Sequence, residues 1–454
     1  MKSSLFLLAT LTAAATFAVP VAENVTFTQD SVNVATITYT LTESPAIVTL
    51  DIETNVTGNV WASIGVGNVA PGVMPGSAAY CKVTGTGTHT ITWRPSRSWP
   101  SENEEGNVAH DKIRAVVKAW SLDNPPDYMV VDISNTAKPN TWRYYPDADS
   151  VPGGVLGNEA YRKTSLLMRK ILAKDVTWTM GSIGEDGRGT NETSRIVALT
   201  NDYYMAVFET TQEQWRQVMG DWPAARSKSN PTDSYSFTNA LYRAMRPAQN
   251  ISYNEIRTSG SYNTYNVGNE YPNPPHGDSF LGKLKTRTGV DFDLPSEAQW
   301  EFACRAGNGE GYWGDGSIYM GATMPGRNMT NGATTPNPSN LQAFDFDCAP
   351  ESGTAICGSY APNSWGLYDM HGNLAELCID WFQDSLPANI GIKPNVNLAN
   401  PAQLLDGTTG SKKTKRGGCW TYQSWNCRSA SRNSDWTSSQ YLNIGCRVIC
   451  PFER

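Results

Sequence analysis

Between Val21 and Pro146 the chain runs in short stretches of alternating apolar and polar residues: "VNVATITYTL", "AIVTLDIET", "HTITWRP", "IRAVVKAW" and "YMVVDI". Val, Ile, Thr and aromatic residues at period two, broken by Gly, Pro and Asn, predict strands. Several such strands at spacings of about ten to twenty residues predict an all-β sandwich over residues 23–146. No cluster of His, Asp, Glu or Cys interrupts this pattern, so the segment reads as a binding or spacer module. A Pro/Gly/Asp-rich passage, "YYPDADSVPGGVLGNEAY", marks the predicted linker at 147–164.

Beyond the linker the alternation fades. Trp becomes frequent, and Gly/Asn/Ser/Thr/Pro stretches connect a few short helical patterns. Three helix starts are predicted from capping chemistry: Thr211 with Gln214, Ser252 with Glu255, and Ser296 with Gln299, the last stopping at Gly307. In each, the cap hydroxyl accepts from a free helix N–H while the side chain three residues on reaches back to the cap. So little regular structure calls for other supports, of which disulfides and bound ions are the usual ones.

The 454 residues are too many for one ordinary core at roughly 100–200 residues per domain. A formal net charge of -7 provides no basic field for nucleic acid or an anionic membrane. Residues 1–22, "MKSSLFLLATLTAAATFAVPVA", read as a secretory signal peptide, with a short apolar run, small residues after it and no stop-transfer pattern. The expected location is therefore secreted or periplasmic, with no membrane span. Export makes cysteine pairing the default, and eight of the nine cysteines (Cys304, Cys348, Cys357, Cys378, Cys419, Cys427, Cys446 and Cys450) lie in the second half. Up to four disulfides are possible there, with connectivity open. Cys81 stands apart and reads as a buried apolar residue.

Six motifs follow in order: "WTMGS" (178–182), "YYMAVFETTQEQW" (203–215), "DLPSEAQWEFACRAG" (293–307), "NSWGLYDMHGNLAELCIDW" (363–381), "RGGCWTYQSWNCRSASR" (416–432) and "GCRVI" (445–449). Together they resemble the formylglycine-generating enzyme, or sulfatase-modifying factor, family over about residues 165–454. The resemblance implies a variant of the C-type-lectin-like fold, poor in regular secondary structure, and hence an α+β chain overall: β-sandwich first, this domain second. Members of the family include copper-dependent oxidases that convert a sulfatase cysteine to formylglycine, iron-dependent relatives that form C–S bonds, and many with no assigned reaction.

The resemblance also implies a calcium loop in "GLYDMHGNLAEL", with Asp369, Gly372, Leu374 and Glu376 as ligands. That set suits a hard cation, which takes carboxylate and carbonyl oxygens. A second calcium site would fall near Asn328, Asp345 and Asp347, where the local sequence departs from the family.

A copper oxidase needs two thiolates near one another, or a nucleophile and a resolving thiol. Against the family's motif, Cys419 stands in place of Ser, Tyr422 in place of the first catalytic Cys and Gln423 in place of His. Only Cys427 coincides, and the register that aligns "RSASR" puts it in a structural variant of the motif. There the resemblance implies a Cys304–Cys427 disulfide. Cys419 and Cys446 replace the family's Ser and Phe, which is compatible with a second, new disulfide. The alternative is a copper pair of Cys419 with Cys427 as catalytic residues.

Four histidines in all, His89, His110, His276 and His371, leave no three-His iron centre within this domain. Asp380 and Asp384 beside Trp381 could suggest a glycosidase pair but read as a surface or helix-start arrangement. Two functions remain. One is a binding or degenerate member that recognises an exported protein or glycan through Trp420, Tyr422 and Trp425. The other is a copper-dependent cysteine oxidase.

Overall fold

The computed structural model describes residues 19–31, 33–58, 60–98, 112–182, 184, 187–223, 244–308, 326–329, 353–384, 395–396 and 412–452. The chain forms two compact units. One comprises residues 1–64 and 72–124, the other residues 65–71 and 125–454.

In the first unit the alternating runs become strands β1 (Ala22–Ser31), β2 (Val34–Leu41), β3 (Ala46–Thr57), β4 (Val60–Ser63), β5 (Cys81–Val83), β6 (Gly87–Trp93) and β7 (Ile113–Trp120). One antiparallel sheet has the order β1-β2-β6, and the other is built around β3, which pairs β4, β5 and β7. β2 buries every second residue, including Ala35, Ile37, Tyr39 and Leu41, as a period-two strand with one covered face requires. Val48, Leu50 and Ile52 of β3 are fully buried as well.

The last of the alternating runs belongs elsewhere. "YMVVDI" supplies β8 (Tyr128–Asp132), which pairs antiparallel with β10 (Ser165–Ile171) in the second unit. The preceding strand has already ended at Trp120, and the first unit closes at Asn124, ahead of Pro125 and Pro126. Residues 147–164 pack into the second unit: Ser150, Val151 and Tyr161 are buried, and Asn158 caps a short 3-10 turn at Glu159–Arg162.

The second unit carries a five-stranded sheet of β8, β9 (Arg143–Tyr145), β10, β13 (Tyr203–Ala206) and β19 (Ile449–Pro451), in the order β19-β13-β10-β8-β9. A small sheet joins β11 (Thr177–Met180), β12 (Arg195–Ala198) and β15 (Asn395–Val396). A third sheet, in the order β17-β16-β14-β18, uses β14 (Ala375–Trp381), β16 (Lys412–Arg416), β17 (Arg432–Trp436) and β18 (Ile444–Gly445). The unit is thus a mixed α+β structure.

Helices α1 (Gln212–Met219) and α3 (Glu297–Arg305) both begin with complete capping boxes, Thr211/Gln214 and Ser296/Gln299. Between them lies α2 (Phe280–Thr288), capped by Ser279. At the end of α3 the left-handed turn is shared by Ala306 and Gly307. The third expected start differs: Ser252 and Glu255 do bond reciprocally, but the segment winds as a single π-turn over Asn254–Thr258. No helix among the described residues is long and apolar enough to cross a membrane.

Candidate functional site: the arginine-pinned cysteine loop and the carboxylate loop

Helix α3 presents Glu297 and Glu301 one turn apart and fully buried, so both carboxylates need cationic partners. Arg416, at the end of β16, pairs with Glu301; Arg432, at the start of β17, pairs with Glu297 with Nη2 donating to Oε2 at 2.8 Å; and Arg305 donates to Glu301 at 2.8 Å. Burial alone would raise both carboxyls, but these arginines win and hold them below the usual range. Farther along, Arg428 donates to both oxygens of Glu192, at 2.7 and 2.8 Å, and to the Gly187 carbonyl at 2.8 Å. The segment 416–432 is therefore tied down at its first residue, its last residue and Arg428 between them.

Within that frame Gly417 and Gly418 adopt φ values of 88° and 68°. A Cβ on Gly418 would stand 2.6 Å from both the Asn426 carbonyl and Cys427 Sγ, so the turn is closed to other residues. The turn delivers Cys419 and Cys427 into the interior, each 0% exposed. Cys419 Sγ lies 3.1 Å from Thr421 Oγ1, while Cys427 Sγ lies 3.8 Å from the Gln423 carbonyl and 4.0 Å from that of Cys419. Burial raises both thiols, Cys427 well above the ordinary thiol value. Trp420 is also interior, packed with Leu374 and donating to the Leu442 carbonyl. Of the three aromatics expected to face a ligand, Tyr422 is half-buried and only Trp425 is exposed.

The two expected disulfides are absent: none of the eight described cysteines is disulfide-bonded. His371, wholly buried, links the Cys304 thiol to the Cys427 backbone. Its Nε2 is 3.8 Å from Cys304 Sγ and its Nδ1 is 2.8 Å from the Cys427 carbonyl. Cys446 lies instead against Thr210, whose backbone N–H donates to the Cys446 carbonyl at 2.9 Å, whereas the Cys419 thiol lies beside Thr421. Cys348, Asp345, Asp347 and His110 lie outside the described residues.

Next to the cysteine loop lies the carboxylate loop. The Gly372 N–H donates to the Gly417 carbonyl at 2.7 Å, and the Trp420 N–H donates to the Asn373 carbonyl at 2.9 Å. Asp369, Gly372 and Asn373 all have positive φ, and a Cβ on Gly372 would sit 2.1 Å from the Arg327 carbonyl. Of the four expected calcium ligands, Asp369 has a free oxygen: Oδ2 accepts from the Gly358 N–H at 2.7 Å, but buried Oδ1 has no hydrogen-bond partner. Glu376 does not. Its oxygens accept from Arg447 at 2.8 and 3.1 Å and from Trp300 Nε1 at 2.7 Å. The carboxylate that does face Asp369 is Glu209, which bonds Leu374 N at 2.9 Å and Asn373 Nδ2 at 2.6 Å. The expected calcium set therefore does not fit as a unit.

Glu209 and His371 escaped notice as site residues in the sequence. The one available signal for Glu209 was a single acid, in "AVFETT", placed between an apolar strand and a helix cap. Asp380 and Asp384 do not converge: Asp384 is exposed, whereas buried Asp380 accepts from the first N–H of α3, Glu297 N, at 2.7 Å.

A family profile described as "Sulfatase-modifying factor enzyme 1-like domain" matches residues 163–451. The chain belongs to this family. A formylglycine-generating enzyme of Streptomyces coelicolor is 34% identical over 159 residues, covering 34% of this chain and 45% of that protein. The chaperone protein LppX of Paenibacillus barcinonensis is 25% identical over 188 residues, or 40% of this chain and 63% of LppX. This sulfatase-modifying-factor member thus matches less than two thirds of the length of either relative. Two solved structures are similar across most of their own length. Treponema denticola variable protein 1 has 19% identity and a TM-score of 0.44, covering 63% of this chain and 96% of its own. PvdO from Pseudomonas aeruginosa has 20% identity and a TM-score of 0.40, covering 63% and 94%.

Proposed function

We propose that this sulfatase-modifying-factor member is an exported binding protein that has kept the frame of the cysteine loop and lost its redox chemistry. The observation that carries the reading is the sealing of Cys419 and Cys427: both thiols are fully buried, and that burial raises both against the opposing pull of Thr421, Lys415 and Asn443 at Cys419 and of the Cys419 backbone and Arg428 at Cys427. Thiolate is the form that attacks and that binds Cu(I), so such a setting opposes both roles. Where the resemblance expects Cys and His, the chain has Tyr422, which stacks near Lys415, and Gln423, whose buried Oε1 lacks a partner. Copper does not fit these residues.

Recognition then falls to exposed aromatics of the second unit. Trp420 drops out because it is interior; Trp425 stays, and Trp436 and Tyr441, 51% and 46% exposed, join it as candidates. Rigid rings of this kind supply contact area at low entropic cost to an exported protein or glycan. The second unit takes the family's C-type-lectin-like variant in this reading, and the two sheets of the first unit form a separate sandwich.

One observation favours the oxidase alternative: Cys427 Sγ sits near the Cys419 backbone, and neither sulfur is tied up in a disulfide. The test is to load the protein with Cu(I), supply oxygen and a cysteine-containing sulfatase peptide, and assay aldehyde formation by hydrazide labelling. No aldehyde is expected. Aldehyde that disappears in the Cys427→Ser variant overturns the reading.

A further inference from the structure

Glu209, Cys357 and Asp369 converge from three separate segments of the second unit, with one potential ligand atom from each within 4.8 Å of the others. They are 1%, 0% and 2% exposed. Bringing two carboxylates and a thiol together away from water is unfavourable unless something cationic sits among them. The neighbouring arginines do not fill that role. Arg447 spends its guanidinium on Glu376 and on the carbonyls of Ala206, Val207 and Tyr368. Arg162 donates to the Cys357 and Leu156 carbonyls and acts on Asp369 and the thiol only through its field.

What remains unmet is specific. Asp369 Oδ1 is buried with no donor, a desolvation cost that a bound cation would offset. Asp369 itself is held at a φ of 58°, and its other oxygen is fixed by the Gly358 N–H, next in sequence to Cys357. Cys357 Sγ stands 3.7 Å from Glu209 Oε2. A tetrahedral zinc ion, with Zn–S near 2.3 Å and Zn–O near 2.1 Å, puts sulfur and oxygen ligands about 3.6 Å apart.

We propose that Glu209, Cys357 and Asp369 form a binding site for a divalent cation of the zinc class. The set shares Asp369 with the calcium loop implied by the family resemblance, but it exchanges Glu376, already committed to Arg447, for Glu209 and adds a sulfur. That sulfur selects the metal: calcium takes oxygen ligands, while zinc takes thiolate and carboxylate together. The charges also close. Two carboxylates and a thiolate against Arg162 leave two negative charges, which one divalent ion cancels. Entry of the ion displaces the thiol proton and any proton held on Glu209, so binding strengthens as pH rises. The site supports the packing of three chain segments and is independent of the fate of Cys419 and Cys427.

The test uses the full chain, stripped with a chelator and titrated with zinc alone. One ion per chain is expected, with a rise in melting temperature, and Cys357→Ser and Asp369→Asn should each weaken binding by at least tenfold. Cys378→Ser, a buried thiol elsewhere, should bind as the parent does. X-ray absorption of the zinc-loaded parent protein reads the site without any variant, and one sulfur with oxygen neighbours is expected. A shell of oxygens alone, two or more sulfurs, or equal stabilisation by calcium that survives Cys357→Ser overturns the proposal. So does the absence of stoichiometric binding, in which case Glu209 and Asp369 share a proton instead.

Discussion

Arg447 clasps Glu376 in the interior of the second unit, Nη2 donating to Oε1 at 2.8 Å and Nε lying 3.1 Å from both carboxylate oxygens. Neither side chain is more than 1% exposed. The pair joins the carboxylate loop to the C-terminal strand segment, and it is the reason that Glu376 is not available as a cation ligand.

Breaking that pair leaves a buried charge. Arg447→Leu is expected to destabilise the protein by about 3–5 kcal/mol, because Glu376 loses its counter-ion in a dry site. Arg447→Leu combined with Glu376→Gln should recover a large part of the loss, as read by the denaturation midpoint in urea.

Gly418→Ala tests the turn that buries the two cysteines. Its φ of 68° and the 2.6 Å approach to Asn426 and Cys427 leave no room for a methyl group. A loss of about 1–3 kcal/mol is expected, with greater thiol accessibility at Cys427. Circular dichroism melting and quantitative alkylation give the two readouts.

His371 provides a pH signature. Burial, opposed by its bond to the Cys427 carbonyl, lowers its pKa from 6.5 to about 4. Between those values the unfolded chain binds the proton and the folded chain does not, so stability falls as pH drops from 6.5 towards 4. The contribution is about 3 kcal/mol from the standard linkage relation. His371→Gln removes this slope. The difference between parent and variant stability curves should therefore shrink as pH falls through that window, whatever other groups titrate.

Asp380 works in the opposite sense. Burial and then Glu297 raise it to about 7, while the Glu297 N–H, Lys413 and Arg432 pull the other way. Folded Asp380 holds a proton that the unfolded chain releases above its ordinary value, so stability is lost as pH rises through that interval. Asp380→Asn keeps an acceptor for the Glu297 N–H. It is expected to stabilise the protein at pH 8 by up to about 4 kcal/mol relative to acidic pH, measured by denaturation at both pH values.

Local signals were the legible ones. The capping boxes of Thr211 and Ser296 depend on residues three apart, and the alternation in β2 depends on one covered face; both read directly from the sequence. "YMVVDI" has the same alternation, but its partner, Ser165–Ile171, follows it in the chain and draws it into the other unit. Pattern gives strand type, not strand partner. The site was legible in frame and obscure in content. "RGG" and "RSASR" stand out as motif residues, yet their reason is Glu301, Glu297 and Glu192, the last 236 positions from Arg428. In the same way, Asp369 was visible as a ligand while Glu209, 160 positions earlier, was not. An exported chain is expected to pair its cysteines, but the Cys304 thiol contacts the His371 ring, which in turn bonds the Cys427 backbone carbonyl.

Whether Cys419 and Cys427 are sealed thiols or a redox pair is read out by alkylating the native protein and locating modified cysteines by mass spectrometry, with and without Cu(I). Cys419 and Cys427 should stay unmodified in the native state, be modified together only after unfolding, and be indifferent to copper. Rapid native alkylation of either residue, blocked by one equivalent of Cu(I), would contradict this.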